Sequence, residues 1–278
     1  MQWRGRRGSR NIEDRRRMGA GGAGGVGLVG MLAVLAFGYF FGIDISPLVD
    51  QTGGTGAPRD LTAEEEEMGE FASVILRETE TTFGRIVPGE TGQPYQEPRM
   101  VLYSGVTQSG CGGASAQMGP FYCPADRTVY LDTDFFRVMA QRMDAGGDLA
   151  AAYVIAHEVG HHVQNQIGLL EQVTRLRQQS NQRDSNRLSV LTELQADCLA
   201  GLWAAGSARD LRITPEDLAE AMNAAAAVGD DALMESAGRA VVPDAFTHGS
   251  SADRQAWFMR GYEGGRLSSC NTFAAAGL

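Results

Sequence analysis

Four histidines occur in the 278-residue chain, and two of them stand in His157-Glu158-Val159-Gly160-His161. The pentapeptide follows an apolar, helix-like run, Ala150 to Ala156. On a helix, residues four apart lie one turn apart on the same face, so both imidazoles can reach one metal ion. Glu158 then leans toward the open side of that ion, where a general base is needed. The chemistry this suits is hydrolysis by a zinc-activated water.

Catalytic zinc takes three protein ligands and keeps one position open. The best third ligand is Glu193, in Glu193-Leu194-Gln195-Ala196-Asp197, which is expected on a second helix. Asp197 shares its face and can accept the free ring N–H of His157, fixing the tautomer. The oxyanion that develops during amide hydrolysis needs a donor beyond the metal. His248, in Phe246-Thr247-His248-Gly249-Ser250, is the first choice, with Tyr262 and Arg254 behind it. His162 points about 100° away from His161 on the helix and is expected to be structural. Asp132 and Asp134 resemble an oxygen-ligand pair, but a helix cap is the preferred reading.

These residues need elements to carry them. Thr62 with Glu65 three residues on is a capping-box spacing and opens a helix with Phe71, Val74, Ile75 and Phe83 on its apolar face. Met100–Tyr103 and Val129–Leu131 read as short strands. Helices are expected over Phe135–Met143, from about Asp148 to Ile167, from Leu188 to Ala205, from Pro215 to Ala227, and from Ser250 toward Tyr262. The Gly110-Cys111-Gly112-Gly113 stretch reads as a loop. Residues 172–187 are strongly polar and form either a helical arm or a loop over the site. The fold class is α+β, predominantly helical.

Charge is unevenly distributed. Residues 1–17 carry seven arginines against two acidic residues, whereas residues 51–278 carry 17 arginines against 30 acidic ones. An acidic body of this kind would repel phosphates and excludes nucleic acid as a partner. Between the two blocks, residues 26–43 hold no charge, long enough to span a bilayer core of about 30 Å. The organisation expected is a basic cytoplasmic segment (1–17), a transmembrane anchor (18–43), a Gly/Thr/Pro linker (44–60) and a catalytic domain (61–278). The positive-inside rule places the N-terminus in the cytoplasm and the domain outside, periplasmic or extracellular, on a single-pass membrane protein. All four cysteines then fall on the oxidising side, which suggests two disulfides. Of the three pairings, Cys111–Cys123 closes a short loop and is favoured, with Cys198–Cys270 as the second.

The chain resembles a bacterial family of neutral zinc metallopeptidases, single-pass membrane proteins. The resemblance rests on Gly8 to Arg16, on Cys111-Gly112 with Gly119 to Pro124, and on Val129 to Asp132. It continues through His157 to Asn165, Glu193 to Cys198, and His248 to Trp257. It implies a gluzincin-type site with His157, His161 and Glu193 as zinc ligands and Glu158 catalytic. It also implies a zincin-like domain, in which a small sheet packs on the motif helix and an edge strand holds substrate by strand addition. The function expected is a membrane-anchored, extracytoplasmic zinc endopeptidase acting on a peptide or protein. The alternatives are a catalytically weak zinc protein serving as a partner-binding or assembly factor, and a zinc hydrolase of another amide such as a peptidoglycan cross-link. The acidic body speaks against the last.

Overall fold

The computed structural model of the protein describes residues 1–17, 60–115 and 119–278. A 29-residue helix, α1 (Ala63–Thr91), starts at the capping box formed by Thr62 and Glu65 and ends at Gly92, which takes the left-handed conformation that favours glycine. Strands β1 (Ile12–Asp14), β2 (Arg99–Tyr103), β5 (Phe121–Cys123) and β6 (Thr128–Asp132) form one sheet in the order β1-β2-β6-β5. The first three are mutually parallel, and β5 runs antiparallel along the free edge of β6. β3 (Val106–Ser109) and β4 (Gly112–Ser115) make a separate hairpin where a glycine loop was expected.

Seven helices follow: α2 (Asp134–Arg142), α3 (Asp148–Gln166), α4 (Leu169–Gln178), α5 (Gln182–Ser207), α6 (Pro215–Ala227), α7 (Asp230–Ser236) and α8 (Ser251–Gly264), with a terminal turn of helix at Thr272–Ala275. The domain is thus predominantly helical with small sheets.

The motif helix α3 is apolar nearly all round, the pattern of a helix enclosed by its neighbours. Ala152, Ile155, Ala156 and Val159 share one core with Met100, Leu102, Val129 and Leu131 of the sheet and with Leu199, Leu202 and Trp203 of α5. Its first turn is fixed from two sides. Leu149 N–H donates to Glu220 at 3.1 Å and Trp3 Nε1–H to Asp148 at 3.0 Å, so carboxylates sit where a helix N-terminus favours negative charge. Two helix crossings are made backbone to backbone. A Cβ on Gly160 of α3 would lie 3.2 Å from Ala196 Cα of α5. Where α5 crosses α8, a Cβ on Gly201 would overlap Phe258 O and one on Gly261 would overlap Cys198 O.

Two expectations are corrected, and a third falls outside the described residues. Residues 1–17 are not a separate segment but part of the domain, because β1 pairs with β2 in the register Ile12 to Met100 and Trp3 is buried in the core against Phe71. The polar stretch 172–187 takes the helical alternative apart from a break at residues 179–181, and α5 starts at Gln182 rather than Leu188, since Asn181 accepts from Asp184 N and supplies a cap. None of residues 172–187 lines the cavity at the histidines. The expected anchor, residues 18–43, and all of the linker except Asp60 lie outside the described residues; among the described residues no helix is long and apolar enough to cross a membrane. Both disulfides have the favoured pairing, Cys111–Cys123 and Cys198–Cys270.

Candidate active site

The helical spacing of His157 and His161 brings their ring centroids to 4.8 Å. α5 crosses this face at Gly160 and presents Glu193, whose Oε2 lies 3.2 Å from His157 Nε2 and whose Oε1 lies 3.5 Å from His161 Nε2. One ligand atom from each of the three residues lies within 4.8 Å of the other two. Both rings have their remaining nitrogen committed. His157 Nδ1–H donates to Asp197 Oδ1 at 2.8 Å, and His161 Nδ1–H to Gln164 Oε1 at 2.9 Å. Each Nε2 faces Glu193, where a metal ion would take the place of a shared proton. Two neutral imidazoles and a carboxylate with oriented outer partners are the donor set of a catalytic zinc site, and the residues present fit that ion.

The charges agree. Burial opposes a proton on His157, but Asp197 and Glu193 outweigh it and raise the ring to about 10. Burial likewise opposes charge on Glu193, yet His161 and His157 hold its carboxyl well below the usual range. The pocket is built to keep a positive charge between these side chains, which a divalent cation supplies.

Asp197 is fully buried and accepts four hydrogen bonds. Tyr153 O–H donates to it at 2.5 Å, His157 at 2.8 Å, and Arg254 through Nε at 2.9 Å and Nη2 at 3.0 Å. Burial raises its carboxyl, but Arg254 and His157 bring it down to about 2. Arg254 lines the cleft as well, with most of its guanidinium engaged in holding Asp197. Its Nη2 also reaches Tyr153 Oη and its Nη1 the Val228 carbonyl. Tyr262 is packed against the core and does not line the cavity.

The ligands open into a cleft of about 370 Å³. Glu158 lines it, and among the described residues nothing hydrogen-bonds or ion-pairs with its carboxylate. His248 lines it as well. Its Nδ1 is 3.1 Å from Asp230 Oδ1, while Asp230 Oδ2 accepts the backbone N–H groups of Thr247, His248 and Gly249. The Asp230 hydrogen bond raises the His248 ring against the opposing effect of burial. Gly119 to Tyr122, leading into the edge strand β5, form a third wall. His162 is structural, as expected: Tyr122 O–H lies 3.0 Å from its Nδ1, Nε2–H donates to Gln96 O at 2.6 Å, and burial pushes the ring down to about 4. It ties β5 to the motif helix. Asp132 Oδ1 accepts from Asp134 N at 2.9 Å, although the N-cap of α2 is Thr133, whose side chain makes no capping bond.

Sequence reasoning missed Tyr153, Gln164 and Asp230. The first two are four residues before His157 and three after His161, so helical spacing could have found them. No spacing connects Asp230 with His248.

Residues 1–273 match the family described as "Putative neutral zinc metallopeptidase". The chain belongs to this family. An uncharacterised protein of Escherichia coli strain K12, YpfJ, is 45% identical over 98% of this chain and 99% of its own length. An uncharacterised protein of Mycobacterium tuberculosis strain H37Rv is 44% identical over 66% of this chain and 65% of its own length. No solved structure matches the chain. The family match runs through residues 1–17 as well as the helices that carry His157, His161 and Glu193.

Proposed function

We propose that the chain is a zinc-dependent endopeptidase acting outside the cytoplasm. One observation carries the reading. The unpartnered Glu158 carboxylate shares a cleft with three convergent ligand atoms whose outer partners are already fixed. A scaffold site needs the ligands but not the free base.

A zinc ion held by His157, His161 and Glu193 supplies a Lewis acid and a bound water acidic near neutrality. The chain's own residues do the rest. β5 pairs only with β6 among the described residues, so its outer edge is available to an extended substrate main chain. Binding of that kind engages the backbone rather than a terminus and suits internal bonds. Glu158 takes the proton of the attacking water and returns it to the leaving amine. His248, oriented by Asp230, whose hydrogen bond raises the ring's pKa, donates to the oxygen on which negative charge develops. Asp197 holds His157 in the tautomer that leaves Nε2 free for the metal. The two disulfides favour an oxidising compartment. The uncharged run 26–43 favours attachment to the membrane.

The test uses the full chain in detergent, because removing residues 1–17 would strip a strand from the sheet. A diverse peptide pool is incubated with the protein and products are read by mass spectrometry, with Glu158→Gln as the control. Internal cleavage by the wild type is expected, with a loss of about 10²–10⁴-fold in the variant at unchanged zinc content. A wild-type protein that binds one equivalent of zinc and cuts nothing would sink the peptidase reading in favour of a zinc-binding assembly factor.

A further inference from the structure

The arginines of residues 1–17 look, in sequence, like a cytoplasmic anchor flank. The structure assigns most of them partners in the domain. Arg4 pairs with Glu67, Arg6 with Glu78 at 2.8 Å and Arg17 with Glu66 at 2.9 Å, all three acceptors lying on α1. Arg16 is buried and donates to the Glu65 carbonyl. Ser9 and Asn11 both donate to the buried Glu80. The basic start of the chain and the acidic start of α1 are two halves of one complementary contact. That contact explains the uneven charge distribution without any membrane.

The ends of the intervening segment also meet. Arg17 Nη1 lies 3.6 Å from Asp60 Oδ1. A single crossing would hold residues 17 and 60 at opposite faces of a hydrocarbon core about 30 Å thick, with β1 on one side and its partner β2 on the other. One crossing and this sheet exclude each other.

We propose that residues 1–17 lie on the same side of the membrane as the metal site. This replaces the single-pass arrangement with the N-terminus inside. The positive-inside rule reads arginines that are free to interact with the inner face, and here four of the seven are paired with glutamates of the same body. The inference is independent of peptide cleavage, because it rests only on the packing of β1.

Two positions report the two parts. Arg10 and Arg239 are exposed, and the four native cysteines are paired with one another. Arg10→Cys and Arg239→Cys, each in the full chain, are treated with a membrane-impermeant maleimide in intact spheroplasts and again after lysis. The same response at both positions is expected. Labelling of one in intact spheroplasts and of the other only after lysis overturns the proposal. Labelling of both only after lysis supports it while overturning the extracytoplasmic location, so the two readings fail separately.

A second measurement guards against a disturbed variant. Arg17→Cys and Glu66→Cys are placed together in a chain carrying a protease site within residues 44–59. Joining by a short bismaleimide is expected to keep the N-terminal fragment attached after cleavage. Release of the fragment, although both cysteines react with a monofunctional maleimide, overturns the proposal.

Discussion

Asp197 neither touches the cleft nor ligates a metal in the proposed scheme, yet Asp197→Asn should damage two properties by separable routes. The first is stability. The variant keeps the shape but leaves the Arg254 guanidinium, 4% exposed, with the Tyr153 hydroxyl and the Val228 carbonyl and no counter-charge. Removing one partner of a buried pair costs about 3–5 kcal/mol. At about 2–4 °C per kcal/mol for a domain of this size, Tm falls on the order of 10 °C. The second is metal affinity. The Nδ1–H of His157 loses a charged acceptor at 2.8 Å, and loss of such an outer partner weakens metal binding about 10–100-fold. The double variant Asp197→Asn/Arg254→Met separates the two, because it removes the orphaned cation while the histidine still lacks its carboxylate. Its Tm should recover most of the loss, and its zinc affinity, measured by competition with a fluorescent chelator, should stay as low as in the single variant. Recovery of wild-type affinity in the double variant would refute the reasoning, since Asp197 would then act on the metal only through the fold.

Asp230→Asn removes the hydrogen bond that raises the His248 pKa. If the charged ring is the oxyanion donor, activity is lost as pH rises through that pKa, so the alkaline limb of kcat/KM should move to lower pH; an unmoved limb would exclude His248. His248→Ala should cost about 10²–10³-fold in kcat, as for a lost oxyanion donor, with zinc content unchanged by metal analysis. Gln164→Leu should weaken zinc binding about 10-fold, and Gln164→Glu, which keeps an acceptor for His161, should restore it in the same chelator competition; equal affinities in all three proteins would remove Gln164 from the site. Breaking Cys198–Cys270, which spans 72 residues, should cost about 4 kcal/mol in the chain-entropy account, against about 3 kcal/mol for Cys111–Cys123 over 12 residues. Denaturant titration of the two Cys→Ser pairs would show whether that order holds.

Much of the metal-binding geometry was legible because it is written within helices. Spacings of four set His157 against His161 and Glu193 against Asp197, and an apolar run marked the first helix as enclosed. What was not legible depends on contacts between elements. β5 is three residues long and offers no periodicity, yet it forms the cleft wall. β1 is a three-residue parallel edge strand, and its segment's charges pointed to a membrane topology instead of to glutamates some 50–70 residues away. The hairpin β3–β4 was hidden by glycines, which usually mark loops. Asp230 meets His248 only because α7 and the loop before α8 come together. The start of α5 was placed at Leu188 because the polar first turns carry no apolar face, and only Asn181 as a cap marks Gln182 as the true start.

The glycine crossing of α5 and α8 has a consequence for how this chain can change over generations. Asp197 and Arg254 face each other from these two helices, and the helices approach closely only because Gly201 and Gly261 have no side chains. Alanine at either position meets a backbone carbonyl, which cannot rotate out of the way as a side-chain tip would. No compensating shrinkage is available either, because glycine is already the smallest residue. A saturation library should therefore find positions 201 and 261 as unforgiving as the metal ligands, although neither glycine carries a functional group. Their invariance in such a library would record a distance rather than a reaction.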